Sequence, residues 1–238
     1  MKRLCQLLLL TVLVLAVALG GCGVGVGKGK AQIWVTRNRG ATVMRTGTAP
    51  AGLTALQGLA RVASVGTAYG GAFVTAIDGV SSSRLHQRDW FYFVNGYESD
   101  RGAASYRLRA GDVEWWDYRA WQRQSRAPVV VGAFPEPFVH GYDGRRRQAA
   151  VRYQPGFRSL ASRLARIVHA RSLAPLGVPV APAANLLEVR SGPAGLVAEL
   201  LGSGRAGDPV RFIVSGRKFA RSLARDPDIV RYRYQALP

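Results

Sequence analysis

The chain has 238 residues, a formal charge of +19 and a pI near 11.2, a length that allows one or two ordinary domains. With 48% hydrophobic and 9% aromatic residues it is neither disordered nor collagen-like, and its 28 glycines follow no three-residue repeat. A basic total of this size raises nucleic acid as a partner, but the N-terminus argues for a different compartment.

Met1, Lys2 and Arg3 form a positive head, followed by an almost unbroken apolar run from Leu7 to Leu19. That length suits a signal-peptide core better than a membrane span, which needs about 20 apolar residues. The run ends in Leu19-Gly20-Gly21-Cys22, which resembles the bacterial lipobox. Residues 1–21 are therefore expected to be a lipoprotein signal peptide, with Cys22 the lipidated first residue of the mature chain. An ordinary cleaved signal or a retained anchor is the alternative. Cys5 would leave with the signal, so the mature chain has no partner for a disulfide and no thiolate for catalysis or a metal. Residues 22–30, Gly-rich with Lys28 and Lys30, read as a flexible tether near anionic head groups.

The charge is uneven, net +5 over residues 23–120 and net +12 over residues 121–238. On an exported chain the expected acidic neighbours are lipid head groups and envelope polymers, not nucleic acid; a solvated arginine-rich surface with no specific partner is the plainer reading.

A first domain is expected over residues 31–122. Gln32–Thr36 reads as a strand, Asn38-Arg39-Gly40 as a turn, and Ala41–Arg45 as the returning strand of a hairpin. Leu53, Leu56, Ala60 and Ala63 fall at helical spacing, predicting a helix from Ala51 to Val65. Ala72–Ile77, Trp90–Val94, Tyr106–Leu108 and Val113–Tyr118 read as further strands, with turns at Asp78-Gly79, Asn95-Gly96 and Ala110-Gly111-Asp112. A hairpin, a covering helix and more strands make a β-grasp-like α+β domain.

Phe73-Val74-Thr75-Ala76-Ile77-Asp78-Gly79-Val80, then Trp90-Phe91-Tyr92-Phe93-Val94-Asn95-Gly96, then Ser105–Asp112, resemble the DUF4430 family, which is similar to the C-terminal β-domain of transcobalamin and intrinsic factor. The resemblance implies a non-catalytic fold and makes cobalamin a possible bound ligand. In the vitamin carriers an α-barrel covers the other side of the ligand; this chain has no such barrel, and the broader β-grasp relatives leave the ligand open.

Alternation puts Trp90, Tyr92 and Val94 on one face and Phe91 and Phe93 on the other; Val113 and Trp115 oppose Glu114, Trp116 and Tyr118. The resemblance buries Trp115. Trp116 and Tyr118, with Tyr97 in the following loop, then form a candidate exposed ligand platform; cross-strand packing is the other reading of the same three residues.

A second domain, a small α/β domain of no recognised family, is expected over residues 128–238. Val129–Phe134, Gln148–Tyr153, Leu186–Val189, Val210–Val214 and Ile229–Tyr234 read as strands; Ser159–Arg171, Leu196–Leu201 and the stretch around Phe219 and Leu223 read as helices. Gly202–Gly207 spells GxGxxG, but between a helix and a strand, the reverse of a dinucleotide site. Arg145-Arg146-Arg147 reads as a basic turn open to an anionic polymer or to water alone. His86, His140 and His169 lack metal-ligand spacing, no GxSxG elbow or P-loop occurs, and nothing in sequence supports a site at Glu136 or Asp143. No catalyst or metal site is expected. The reading that follows is a lipid-anchored lipoprotein on the extracytoplasmic face of the cell membrane, binding a small ligand for capture or for transfer to a membrane transporter. The alternative is a non-catalytic envelope adhesion or structural module.

Overall fold

The computed structural model describes residues 28–122 and 124–236. The expected signal peptide, Cys22 and most of the expected tether lie outside the described residues. No helix among the described residues is long and apolar enough to cross a membrane. The architecture is α+β, built from two units.

The first unit opens with β1 (Lys30–Arg37) and β2 (Thr42–Pro50), an antiparallel hairpin turned by Asn38, Arg39 and Gly40, all at positive φ. The expected long helix is only α1 (Ala55–Leu59), started by a capping box in which Thr54 Oγ1 accepts from Gln57 N and Gln57 Oε1 accepts from Thr54 N. Past Leu59 the chain turns, and Asp78 takes the Ser64 N–H at 2.9 Å where the next strand begins. β3 (Val65–Ala68), β4 (Phe73–Ile77) and β5 (Val80–Ser81) form a small antiparallel sheet. β6 (Arg88–Val94), β7 (Tyr97–Glu98) and β8 (Val113–Ala120) complete the main sheet in the order β2-β1-β8-β6-β7, with β8 parallel to β1. Tyr106–Leu108, expected as a strand, makes only a single bridge, Arg107 to Thr54.

Both faces of the main sheet are covered. Ile33, Val35, Glu114, Trp116 and Tyr118 face α1 and the small sheet; Trp34, Thr36, Phe93, Trp115 and Asp117 face the other way. The cover on that second side comes from far along the chain. Val129–Phe134, expected as a strand, is buried but contains one 3-10 turn at Val131–Ala133 and a single bridge from Val129 to Tyr97. Ile229–Tyr234, also expected as a strand, is a 3-10 turn at Pro227–Val230 followed by an extended segment. That segment lays Tyr232 and Tyr234 on Trp34, Phe93 and Trp115, with ring centroids 4.9–6.5 Å apart. Its apolar alternation reflects contact with an aromatic face instead of pairing in a sheet.

The second unit follows α2 (Glu136–Val139). It comprises β9 (Ala149–Tyr153), α3 (Arg158–Ile167), β10 (Ser172–Pro175), β11 (Asn185–Arg190), β12 (Gly195–Leu200), β13 (Val210–Ser215) and α4 (Arg217–Leu223). The sheet runs β10-β9-β11-β13-β12, parallel except for β12. The Leu196–Leu201 segment, expected as a helix, is thus the edge strand β12: six residues, apolar but for Glu199, are too short to separate helix from strand by periodicity, and pairing with β13 decides it. Leu160, Ala161 and Leu164 of α3 and Ala220 and Leu223 of α4 join Val151, Leu187, Val189 and Phe212 in one core. Buried Asn185 ties this sheet to α2, donating to Pro137 O at 2.9 Å and accepting from Val210 N at 3.1 Å.

Candidate functional site

The three residues expected to form an exposed platform do not. Trp116 is 3% exposed, Tyr118 6% and Tyr97 1%. Trp116 stacks on Tyr92 with centroids 4.8 Å apart and donates its indole N–H to Glu114. The Tyr118 hydroxyl donates to Ser81 O at 2.9 Å. Tyr97 packs on Tyr142 at 5.8 Å, under the second unit. The face sorting from alternation holds, but both faces are sealed, one by α1 and the small sheet and the other by residues 231–235. The platform is corrected to core. It leaves one cost unmet: Glu114 is fully buried, its Oε2 has no hydrogen-bond partner among the described residues, and burial holds its carboxyl well above the usual carboxylate range.

A cavity of about 680 Å³ lies where the two units meet. Its walls are the hairpin turn at Arg39, Gly40 and Ala41, the connection at Gln124, Ala127, Val129 and Val130, and the segment Arg231–Gln235. Asp117 lies behind the lining and ties its parts together. This fully buried carboxylate accepts from Thr36 Oγ1 at 2.6 Å, Arg39 N at 3.0 Å, Gly40 N at 3.1 Å and the Tyr234 hydroxyl at 3.0 Å. Four donors satisfy both oxygens, so the charge is used in holding turn, strand and distant segment together. Burial, then Asp117, pushes the Tyr234 hydroxyl well above its ordinary range. Gly40 is required here: its φ is +80°, and a Cβ would stand 1.5 Å from Tyr232 O.

Among the described residues the walls carry three guanidinium groups and no carboxylate. Arg39 lies 5.4 Å over the Tyr234 ring and donates to Gln124 Oε1 at 2.6 Å. Arg231 lies 5.5 Å over Trp34 and pairs with Asp228, while its Nε is buried without a partner among the described residues. Arg233 is exposed and makes no ion pair among the described residues. Arg39 and Tyr232 both hold positive φ, at 60° and 64°, an uncommon conformation for such side chains. The lining contains no Ser, Cys or His. The groups present can pair with an anion, stack on a planar group and hydrogen-bond through two glutamines and two tyrosines.

A second cavity, of about 340 Å³, brings together two motifs that are separate in sequence. Arg145 and Arg147 of the basic turn meet Arg205 and Gly207 of the GxGxxG stretch, with Arg147 Nε donating to Gly207 O at 2.6 Å. That stretch joins antiparallel β12 and β13 and opens no helix, so it lacks the geometry of a dinucleotide loop. Two of the four lining arginines are paired: Arg101 with Asp143 at 2.7 Å, a carboxylate that also takes Arg109 at 3.1 Å, and Arg147 with Asp208 at 3.7 Å. Nearby, His140 pairs with Glu136 one helical turn away, and that bond raises the imidazole's pKa. No cluster of three or more metal-ligating side chains occurs among the described residues.

Residues 52–120 match the DUF4430 family, described as a domain of unknown function; the match runs from just before α1 through β8. It is the family that the Phe73–Val80, Trp90–Gly96 and Ser105–Asp112 blocks resemble. No curated protein matches the chain. Among solved structures, a Ruminococcus gnavus protein provisionally described as metal-binding is 14% identical, with a TM-score of 0.33, over 39% of this chain and 98% of that one.

Proposed function

We propose that this protein is a non-catalytic, lipid-anchored lipoprotein on the extracytoplasmic face of the membrane, which takes a small soluble ligand bearing an anionic group into the cleft between its two units. The observation that carries the ligand reading is the cleft wall: Arg39, Arg231 and Arg233 with Tyr232 and Tyr234, and no carboxylate among the lining residues. Arginine's planar donors suit phosphate and carboxylate, and the tyrosine rings suit a planar body. Supporting a β-grasp domain of the transcobalamin type are the β1–β2 hairpin, α1, and the parallel placement of β8 beside β1 at the centre of the sheet. A corrinoid, whose nucleotide arm carries a phosphodiester, is the first ligand to test, with capture or delivery to a transporter as the role.

The test is equilibrium dialysis of the detergent-solubilised full chain with cobalamin and, separately, with small aromatic phosphates and carboxylates. Saturable retention is expected, weakened at least tenfold by Arg233→Ala at unchanged thermal stability. Retention of the aromatic anions without cobalamin would remove the corrinoid alone. No retention of any of them at micromolar concentration would remove the ligand reading. The anchor has its own test: mass spectrometry of membrane-extracted protein should find an acylated N-terminal Cys22, and an intact Met1 terminus refutes it.

A further inference from the structure

We propose that the arginine-rich face made by α3 and α4 docks the protein on an anionic phospholipid bilayer. The two helices follow the parallel strands β9 and β13 and lie on the same side of the sheet. Arg217 fastens their N-terminal ends, donating to Gly156 O at 3.0 Å and lying 4.5 Å over the Phe157 ring. With Leu160, Leu164, Ala220 and Leu223 turned into the core, the outer surface presents Arg158, Arg163 and Arg166 in one row and Arg217, Arg221 and Arg225 in the next, all exposed.

None of these six arginines makes an ion pair among the described residues. No aspartate or glutamate occurs in sequence between Asp143 and Glu188, or between Asp208 and Asp226. The opposite face of the same sheet is different: Arg211 pairs with Glu199 at 2.6 Å, and Glu188 lies 3.9–4.0 Å from Arg190 and Arg211. A merely solvated surface mixes signs in that way. The helix face instead places Arg163 and Arg166 at i, i+3 and Arg217 and Arg221 at i, i+4, like-charge repulsions that weaken a helix and that an anionic surface relieves.

Shape and chemistry favour a bilayer. Two helices in contact with each other present neighbouring rows of arginine instead of a groove that follows a strand. The outer rows carry no exposed aromatic for base stacking, since Phe157 lies beneath Arg217. A shallow depression of about 440 Å³ on α3 is lined by Ser159 and Ser162 among Arg158, Arg163 and Arg166. Hydroxyl and guanidinium donors converge there at the scale of one phosphate head group.

The experiment is co-sedimentation of the full chain with vesicles of pure phosphatidylcholine and with vesicles about one third phosphatidylglycerol. Any contribution of the apolar N-terminus is common to every variant, so the readout is the gain on adding anionic lipid. The wild type is expected to gain strongly, and the gain to fall as salt rises. Replacing Arg163, Arg166, Arg221 and Arg225 with glutamine should weaken that gain by about a hundredfold or more, from roughly fivefold per charge. A charge-matched control replaces the exposed Arg61, Arg84, Arg107 and Arg126 and should retain most of it. Equal losses in the two variants, or no gain in the wild type, overturns the proposal. Tighter binding to double-stranded DNA than to the anionic vesicles at the same salt assigns the face to nucleic acid and overturns it too.

Discussion

The Tyr234 hydroxyl donates to the Asp117 carboxylate at 3.0 Å, across 117 residues of sequence. Asp117 also holds Thr36 and the backbone of Arg39 and Gly40, so one carboxylate joins the first hairpin, the central strand β8 and the returning segment. Tyr234→Phe is expected to lower stability by about 1 kcal/mol. Asp117→Ala strands several donors and should lower it by about 3 kcal/mol or more. In urea unfolding the double variant should lose less than the sum of the two; strict additivity would show that the pair is not coupled.

Gly40→Ala and Gly79→Ala separate backbone strain from collision. Both glycines have φ near +80°, but a Cβ at Gly40 meets Tyr232 O, whereas nothing lies within 4 Å of one at Gly79. Gly79→Ala should lower stability by about 1 kcal/mol and Gly40→Ala by at least about 2 kcal/mol more, because the neighbour is backbone. Equal shifts in thermal midpoint would place Tyr232 away from the turn.

Glu114 keeps its proton in the folded protein at pH values where the unfolded chain has released it, because burial disfavours the charged form. The unfolded state then binds fewer protons, so stability falls as pH rises from the ordinary carboxylate value toward the raised folded one. Burial raises Asp112 as well, with the same sign. Glu114→Gln should therefore be more stable than wild type at pH 8, by about 1 kcal/mol or more, with the advantage shrinking toward pH 4. A pH-independent difference would mean that the carboxyl ionises without hindrance.

Trp116→Ala should act on folding and not on ligand. The ring is buried, stacked on Tyr92 and bonded to Glu114, so truncation is expected to lower stability by about 3–5 kcal/mol. Calorimetry decides: an unchanged melting temperature would return Trp116 to the surface.

The sequence was most legible where one element alone decides the pattern. Arg88–Val94 and Val113–Ala120 announce themselves by alternation, and α3 by its spacing of Leu160 and Leu164. Legibility failed where a distant partner decides. Gly195–Leu200 is a strand because β13 pairs with it, and Ile229–Tyr234 looks like a strand because its Tyr232 and Tyr234 lie on Trp34 and Trp115. Trp116 and Tyr118 looked available because nothing local indicates that both faces of the sheet are covered. The cleft has no motif at all. Arg39 belongs to an ordinary turn, Arg231 and Arg233 to a distant segment, and only Asp117 and Tyr234 bring them to one wall.

The covering of Trp34 and Trp115 by residues 231–235 also fixes the order in which this protein can be completed. A chain emerging N-terminus first makes every strand of the first unit long before the segment that shields its aromatic face. Until Tyr234 is released, two tryptophans and Phe93 remain wetted, and the unit is an open half waiting for its clasp. A bulky extension that pulls residues 231–235 aside would recreate that adhesive intermediate in the finished protein, making aggregation, more than lost binding, its first visible defect.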